Sequence, residues 1–546
     1  MIGGTQTADS DGFAEPPVDR AAKTRIGRSR IAGDIALAVG SGLLLCLAFP
    51  PVACSPVAWI ALVPLYLALA RQTRPWAAFG TAWVFGVVLF LVGASWFLEL
   101  GKPPWAMLAC IEAIPFGIQA FLCCLILPRL RAEQRPFVFA TVWVAGEWMR
   151  GWGRVAFPWF LLASSQVRTP DMLQILPITG QWGVSFAIAL TAGLLGEALR
   201  LAGAERRRAI RLAVAGVLVP ALLWTSGMFL RAGTQARDAA ALATGPTLNA
   251  ASVQGNISKE SITSDPEVAY RRLTLETYTE LTREAAGGLV KPDLILWPET
   301  VVPGYLLHDP QLYAAVSTVA RAARTSLLVG APELDGKERY LNIEVLFDAG
   351  GNQLDRYDKV QIVPIGEYFP LRSILGPIYK LYGVPDRDMM SGDLSGVLTV
   401  PTLGRGVARV GGMICYDDVF PTQARERVRR GAQVLTLITS DQTFGVTAGP
   451  QQHADLDVLR AIETRRYLLR SGATGPSEVV AADGTVEAVL GLDRRGVLQR
   501  AVPLLSGETF FVRWGDWFPA LCTGLAVFAA GVALRQRRAK PEARTR

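Results

Sequence analysis

The sequence predicts an α-helical membrane domain of about eight transmembrane helices joined to an α/β domain. Three observations support this prediction. The chain of 546 residues is 51% hydrophobic and only 19% charged, which is too apolar a balance for a soluble protein of this length. Long apolar segments recur through the first 230 residues and once more near the end. The polar block between them contains short apolar runs typical of buried strands.

The apolar segments come first along the chain. Most are long enough for a helix that crosses a hydrocarbon core of about 30 Å, and the second and fifth are short. The N-terminus does not resemble a cleavable signal peptide, because the first apolar run starts late and further runs follow it. The segments lie at 33–50, 55–70, 76–98, 104–128, 137–150, 180–200, 208–230 and 517–535.

The basic residues between these segments predict the orientation in the membrane. If eight helices alternate, the charges at the N-terminus, after segments two, four and six, and in the C-terminal tail share one side. The positive-inside rule makes that side the cytoplasm, so both termini are predicted there and the polar block opposite. The loop 150–170 breaks the rule with Arg150, Arg154 and Arg168, which indicates a specific role for this loop. The same clustering favours membrane topology over nucleic-acid binding, despite a net charge of +8.

These features divide the chain into five predicted parts. Inside the polar block, helical patterns at 266–286 and 452–469 alternate with strand-like runs, which predicts buried strands covered by helices. The runs are "NAASVQG", "DLILWPE", "TSLLVGAPE", "YLNIEVLFD", "ARVGGMICYD" and "AQVLTLITS". The parts are a basic N-terminal tail (1–32), a transmembrane domain of helices 1–7 (33–231), an α/β domain (232–515), transmembrane helix 8 (516–536) and a basic C-terminal tail (537–546).

Three polar side chains at strand ends suggest chemistry. Glu299 ends "LILWPE", and a carboxylate that is partly desolvated beyond a buried strand is a usable general base. Lys359 follows a predicted strand, where an ammonium can stabilise an oxyanion or favour a thiolate. Cys415 directly follows "ARVGGMI". A helix is predicted after Asp418, and its N-terminal amides would lie near the thiol and favour the thiolate.

Each of these residues has an ordinary structural alternative: a solvated glutamate, an exposed lysine and a buried small side chain. Together, however, a base, a cation and a thiol are the groups that nucleophilic acyl transfer requires. The chain has only two histidines, of which His453 is an alternative base for Cys415. The other six cysteines lie in apolar runs and no CxxC spacing occurs, so neither a disulfide nor a metal site is predicted.

An ordered set of motifs carries a family resemblance. "WPE", "DK" with "GEY", and "ICYD" resemble the Glu-Lys-Cys triad of the nitrilase superfamily. From about residue 33 to 535 the chain resembles a membrane-bound branch of it, the apolipoprotein N-acyltransferase family. The further matching motifs are "GEWMRGWGRVAFPWFLLASSQ" (146–166), "VQGNI" (253–257), "VPIGEYFPLR" (363–372) and "GPQQHADLDVLRAIETRRYLLRS" (449–471). The resemblance implies a nitrilase-like αββα sandwich for the α/β domain.

The resemblance also implies roles and a reaction. Glu299 would be the general base, Lys359 the oxyanion stabiliser and Cys415 the nucleophile. A phospholipid would give its acyl chain to the thiol, and the thioester would acylate the amino group of the diacylglyceryl-cysteine of an apolipoprotein. No cofactor is implied, and the expected location is the bacterial inner membrane with the catalytic domain on the periplasmic side. The implied supporting residues are Glu367, Tyr416 and Asp417.

The chain departs from the family pattern at a few positions. Asp417 replaces the usual glutamate, "SDQTFG" (440–445) has Thr443 where an aromatic residue is usual, and an asparagine-rich turn reads "GATG" (472–475). These departures leave open a membrane-tethered hydrolase with the same triad, or a paralogue with another acceptor. Apolar residues in "GPIYKLYGVP" (376–385) favour acyl chains as substrate. An intact triad disfavours a scaffold, and the scarcity of ionisable residues in the helices disfavours a transporter.

Overall fold

The computed structural model describes residues 20–257, 266–369, 372–381, 387–393, 396–404 and 406–539. Most of the predicted N-terminal tail and the end of the C-terminal tail therefore lie outside the described residues. The helices of the membrane part are α1 (Arg20–Cys46), α2 (Ala58–Ala61), α3 (Val63–Ala70), α4 (Pro75–Gly93), α5 (Lys102–Glu112), α6 (Ile114–Ile126), α7 (Arg135–Met149), α8 (Leu176–Thr179), α9 (Trp182–Leu201), α10 (Arg206–Thr244) and α17 (Trp517–Ala539).

Several of these helices are suited to a membrane. Within the described residues, five spans are long and apolar enough to cross it, and they cover predicted segments three, four, six, seven and eight. Helices α1, α2 with α3, and α7 lie over the other three segments, whose crossings stay predictions. Helix α10 continues beyond the predicted end of segment seven to Thr244 and leads directly into the first strand. The five spans are Pro75–Gly93, Lys102–Arg129, Trp182–Leu201, Arg206–Thr244 and Trp517–Gln536.

The α/β part contains two sheets, each with six strands among the described residues. The first has the order β12-β1-β2-β3-β4-β5 and the second β11-β10-β9-β8-β7-β6. In both, three adjacent strands run parallel, β1-β2-β3 and β7-β8-β9, and the flanking pairs are antiparallel. The strands are β1 (Thr247–Gln254), β2 (Leu294–Leu296), β3 (Ser326–Leu334), β4 (Tyr340–Phe347), β5 (Gln353–Asp358), β6 (Val397–Pro401), β7 (Val407–Ile414), β8 (Val434–Thr439), β9 (Leu468–Gly472), β10 (Ser477–Val480), β11 (Val486–Leu490) and β12 (Gly496–Pro503).

The two sheets pack face to face between helices. Buried residues of the first sheet, such as Leu296 and Leu328, contact Val410 and Ile438 of the second. The outer face of the first sheet is covered by α11 (Pro266–Ala286) and α12 (Pro310–Ala323). The outer face of the second is covered by α14 (Pro421–Arg429) and α15 (Gly449–Thr464). The predicted nitrilase-like αββα sandwich is confirmed. The remaining helices are α13 (Arg372–Leu381) and α16 (Phe510–Trp514).

The α14–α15 layer also packs against the membrane helices, so the sandwich and the membrane part share one apolar cluster. Gln452 on α15 lies at the centre of their contact. Its carbonyl oxygen accepts hydrogen bonds of 2.9 Å from the indoles of Trp96 and Trp159. Its amide donates to the backbone carbonyls of Pro50 and Gly93 at 2.8 and 3.0 Å. This contact holds the sandwich directly on the membrane helices.

The sequence-based helix at 452–469 extends too far. Helix α15 ends at Thr464, where Arg465 adopts a left-handed conformation with φ of 52°, and strand β9 follows from Leu468. The run "RRYLLRS" contains good helix formers, but pairing with β8 overrides this propensity. The apolar segment at 376–385 begins within α13, whereas residues 382–386 lie outside the described residues.

Candidate active site

Glu299 lies just beyond the end of β2 and is 5% exposed. Three donors from different elements point at its carboxylate. The Asn342 amide on β4 donates to Oε1 at 2.6 Å, the Lys359 ammonium lies 3.2 Å from the same oxygen, and the Ser440 backbone N–H donates to Oε2 at 2.9 Å. These contacts fix the carboxylate between the two sheets.

Lys359 follows the last residue of β5, and its side chain is 1% exposed. Its Nζ also lies 2.6 Å from Oε1 of Glu367, whose other oxygen accepts from the Val363 N–H at 2.9 Å. Burial alone would lower the pKa of Lys359, but the charges of Glu299 and Glu367 outweigh it and raise that pKa well above its ordinary value. The lysine is therefore a fixed positive charge.

Cys415 follows the end of β7 and is partly buried. It adopts a left-handed conformation with φ of +47°, which is uncommon for a residue other than glycine. Strained backbone of this kind is concentrated at functional sites, because surrounding structure must hold it in place. Here β7 on one side and a 3₁₀ turn over Cys415–Asp417 on the other hold the cysteine between them.

The resting state of the thiol differs from the expectation of a thiolate at a helix N-terminus. The next α-helix, α14, begins only at Pro421. Burial raises the pKa of the Cys415 thiol well above its ordinary value, the charge of Glu299 raises it further, and Lys359 opposes the shift. The thiol is therefore protonated at rest, and its proton must leave during the attack on a substrate.

These groups converge because of the topology. Strand β5 runs in the same direction as β3, so Glu299 and Lys359 lie beyond the same end of the first sheet. Cys415 and Ser440 follow β7 and β8 of the second sheet. The structure thus brings together the three predicted catalytic side chains and Glu367. A base, a fixed cation and a thiol in one buried cluster can perform nucleophilic acyl transfer.

Asp417 and Tyr416, the other two predicted supporting residues, hold the turn that carries Cys415. The Asp417 carboxylate accepts hydrogen bonds from the Tyr357 hydroxyl at 2.7 Å, the Gln361 N–H at 2.8 Å and the Ile414 N–H at 3.0 Å. It therefore ties the segments of Lys359 and Cys415 together, and an aspartate is long enough to do so. The Tyr416 hydroxyl donates to the carbonyl of Ala156 in the membrane part at 2.9 Å.

His453 lies close to Cys415 but is not available as its base. The Cys415 Sγ, a ring nitrogen of His453 and an oxygen of Asp441 all lie within 4.8 Å of one another. One ring nitrogen of His453 lies 2.8 Å from Asp441 and the other 2.9 Å from Asp418. Burial alone would lower the pKa of His453, but these two carboxylates raise it to about 10. The ring is therefore protonated on both nitrogens, and it can neither accept a proton nor ligate a metal.

Arg470 completes this buried network. Its guanidinium lies 2.6 Å from Asp441 and 3.0 Å from Asp457, and all of these side chains are almost inaccessible to solvent. The network joins the turn after Cys415, the loop after β8, helix α15 and strand β9. Breaking such a buried pair typically costs about 3–5 kcal/mol, because one charge stays buried without its partner.

The pKa of His453 predicts how the stability of the protein depends on pH. A pKa raised from 6.5 to about 10 contributes stability that is complete below about pH 6.5 and is lost as the pH rises towards 10. Thermal unfolding in detergent should therefore show a melting temperature that falls over this range. His453→Gln should melt lower at pH 6.5 and fall less steeply. Parallel curves for the two proteins would show that His453 is not charged in the folded state.

Several residues of the site were not predicted from the sequence. Asn342 is a polar residue in the middle of an apolar strand, which is a signal that marks a buried hydrogen-bonding role. The Ser440 N–H is a backbone group and gives no signal in the side-chain pattern. Asp418, Asp441 and Arg470 lie within or beside quoted motifs, but only their spatial arrangement shows that they neutralise one another.

The sequence also matches two protein-family models. Residues 41–194 match the family model "Apolipoprotein N-acyltransferase N-terminal domain", and residues 249–509 match "Carbon-nitrogen hydrolase". An apolipoprotein N-acyltransferase of Geobacter metallireducens is 32% identical over 524 residues, covering 92% of this chain and 96% of the relative. One of Azotobacter vinelandii is 33% identical over 520 residues, covering 92% and 95%.

Among solved structures, the chain is similar to a mutant of the Nesterenkonia AN1 amidase from the nitrilase superfamily. The two are 19% identical, with a TM-score of 0.35, and the match covers 49% of this chain and 93% of the amidase. A carbon-nitrogen hydrolase from Helicobacter pylori G27 is 20% identical with a TM-score of 0.35, covering 47% of this chain and 89% of that chain.

Proposed function

The chain belongs to the apolipoprotein N-acyltransferase family, and we propose that it performs its acyl transfer through a thioester on Cys415. It is an acyltransferase of lipoprotein maturation, associated with the membrane, and a lipoprotein is its substrate. The observation that carries the proposal is the buried cluster of Glu299, Lys359 and Cys415 in a domain packed on membrane helices.

The proposed first half-reaction forms the acyl-enzyme. The carboxylate of Glu299 takes the thiol proton as the Cys415 sulfur attacks the ester carbonyl of a membrane phospholipid. The carbonyl oxygen becomes an oxyanion, which the fixed charge of Lys359 stabilises. When the intermediate collapses, the ester C–O bond breaks and the proton passes from Glu299 to the departing glycerol oxygen. The products are the thioester and a lysophospholipid.

The proposed second half-reaction transfers the acyl chain from the thioester to the acceptor. The α-amino group of the diacylglyceryl-cysteine of an apolipoprotein attacks the thioester carbonyl, and Glu299 accepts the proton that the amine loses. The C–S bond breaks, an amide forms, and the proton returns to the sulfur. A thioester keeps most of the reactivity of the acyl group, so one difficult transfer becomes two easier ones. Glu367 supports both steps by holding the ammonium of Lys359 at 2.6 Å.

The proposed placement is the bacterial inner membrane. The catalytic domain, at 232–515, would lie on the periplasmic side and both termini in the cytoplasm. The distribution of basic residues supports this orientation. Because both substrates are anchored in the bilayer, a catalytic domain held against the membrane meets them at a high effective concentration.

The function is tested with purified protein in phospholipid vesicles and a lipopeptide that begins with diacylglyceryl-cysteine. We expect the peptide to gain one acyl group on its α-amino nitrogen, detected by mass spectrometry, and an equal amount of lysophospholipid to form. A lipopeptide with a blocked amino group is the matched control. If free fatty acid is released at the same rate with the free and the blocked peptide, the protein is a hydrolase and the proposal is contradicted.

A further inference from the structure

A cavity of about 420 Å³ lies where the membrane part meets the loops of the active site. Loop 153–156 of the membrane part forms one wall. Residues that follow Lys359, residues 388–391, and Tyr416 beside the nucleophile form the others. The cavity is therefore lined by residues that are adjacent in sequence to Lys359 and Cys415. Residues that line it include Arg154, Gln361, Tyr368, Asp388, Met390 and Tyr416.

Arg154 gives this cavity a positive charge. Its guanidinium lies over the ring of Tyr368, with 5.1 Å to the ring centroid, and within the described residues it forms no ion pair with a carboxylate. The carboxylate that lines the cavity, Asp388, is already neutralised by Arg372 at 2.5 Å. Arg154 also belongs to the loop whose positive charges break the positive-inside pattern. An anionic group in the ligand would compensate this charge.

The loop that carries Arg154 is fixed relative to Cys415. The Tyr416 hydroxyl donates to the Ala156 carbonyl at 2.9 Å, and the Phe157 ring stacks on the Tyr416 ring with centroids 6.2 Å apart. Below the loop, the buried Arg150 side chain donates to the Phe157 carbonyl at 3.2 Å. A ligand group held by Arg154 would therefore be placed at a defined distance from the nucleophile.

The surroundings of Arg154 suit a lipid headgroup. Trp152 and Val155, on either side of it in the loop, are 57% and 49% exposed. Exposed apolar and tryptophan side chains beside an arginine are typical of the interface between a bilayer and water. The guanidinium would then lie at the depth of the phosphates, from which its fork can bind two phosphate oxygens.

We propose that Arg154 binds the phosphate of the donor phospholipid and thereby selects the acyl donor. This inference rests on the proposed function and names a binding residue for its first half-reaction. In a phospholipid, the phosphate and the esters share one glycerol unit. Anchoring the phosphate in the cavity therefore places an ester carbonyl beside Tyr416 and Cys415. The acceptor, which carries a diacylglyceryl group without phosphate, would not use this contact.

The test separates the two half-reactions in Arg154→Gln. Acyl-enzyme formation is followed by intact mass at increasing phospholipid content in neutral detergent micelles. The phospholipid content for half-maximal rate should rise roughly 10- to 100-fold, which corresponds to the loss of a hydrogen bond to a charged group. Transfer from preformed acyl-enzyme to the lipopeptide should keep the wild-type rate. Arg154→Lys keeps the charge but loses the forked guanidinium. Its phospholipid content for half-maximal rate should lie between those of the wild-type protein and Arg154→Gln.

Arg513→Gln is the matched control, because Arg513 is an exposed arginine beside the exposed Trp514 before α17 and does not line the cavity. It should keep the wild-type donor dependence. If Arg154→Gln depends on phospholipid content as the wild-type protein does, the inference is overturned. It is also overturned if the variant is defective only in transfer to the lipopeptide, because the cavity would then bind the acceptor. If the wild-type protein itself takes no acyl chain from phospholipid, the proposed function fails, whatever Arg154 does.

Discussion

Cys415→Ser is expected to lower kcat/KM for acyl transfer by roughly 10⁴-fold or more, as the loss of a covalent nucleophile does in other enzymes. A serine hydroxyl is a much weaker acid and a poorer nucleophile than a thiol, so it is expected to lose its proton to Glu299 far less readily. Transfer is measured with phospholipid vesicles and the lipopeptide. Since serine differs from cysteine by one atom and Cys415 is only partly buried, the melting temperature should change little.

Cys54→Ser is the control for this prediction. Cys54 is an exposed cysteine in the membrane part and does not belong to the cluster of Glu299, Lys359 and Glu367 around Cys415. Its replacement should leave transfer unchanged and show that the loss is specific to one thiol. Transfer by Cys415→Ser within tenfold of the wild-type rate would mean that another group carries the acyl chain, or that the amine attacks the lipid directly.

Glu299→Gln should show the second largest effect, a loss of about 10²- to 10⁴-fold in both half-reactions. Glutamine keeps the size of the side chain but cannot accept a proton from the thiol or the amine. The Lys359 ammonium would keep its contact with Glu367 at 2.6 Å, so the oxyanion contact should survive. Single-turnover acylation and deacylation, each followed by intact mass, measure the two steps separately.

Glu333→Gln provides a control with the same change at another buried glutamate. Glu333 lies on β3, is inaccessible to solvent and pairs with His308 outside the catalytic cluster. It should be catalytically normal even if it melts at a lower temperature. If Glu299→Gln loses only acylation and deacylates normally, Glu299 is not the base of both steps, and the two half-reactions use different proton acceptors.

Much of the fold was predictable because apolar patterning depends on burial. The predicted runs at β1, β2, β3, β4, β7 and β8 lie in the interior of the sandwich, and each is largely inaccessible to solvent. The strands that were not predicted include the edge strands β11 and β12, where most side chains are partly exposed. An edge strand has one neighbour and a polar surface, so its sequence resembles that of a loop.

The candidate site was predictable in part for a similar reason. Glu299 and Cys415 each stand at the end of an apolar run, and Lys359 follows a predicted strand and precedes an apolar stretch, which marks all three in the sequence. The charge state of the thiol was not predictable, because burial and the carboxylate of Glu299 act only in the folded structure. The same holds for His453, whose role depends on two aspartates from distant segments.

The last glycine of the "GATG" turn (472–475) has a structural reason. The "GATG" turn places glycine at Gly475, where a Cβ atom would lie only 2.8 Å from an oxygen of Asp441. A side chain at this position would push against the network that holds His453 and Arg470. Nothing in the structure explains Thr443, which is exposed.

The most direct test of the thioester mechanism is the intact mass of the purified protein after incubation with phospholipid and no acceptor. We expect one added acyl mass on Cys415, removed by hydroxylamine, absent from Cys415→Ser after the same treatment, and transferred to the lipopeptide when it is added. A folded wild-type protein that carries no acyl group, yet acylates the lipopeptide at the usual rate, would contradict the thioester mechanism.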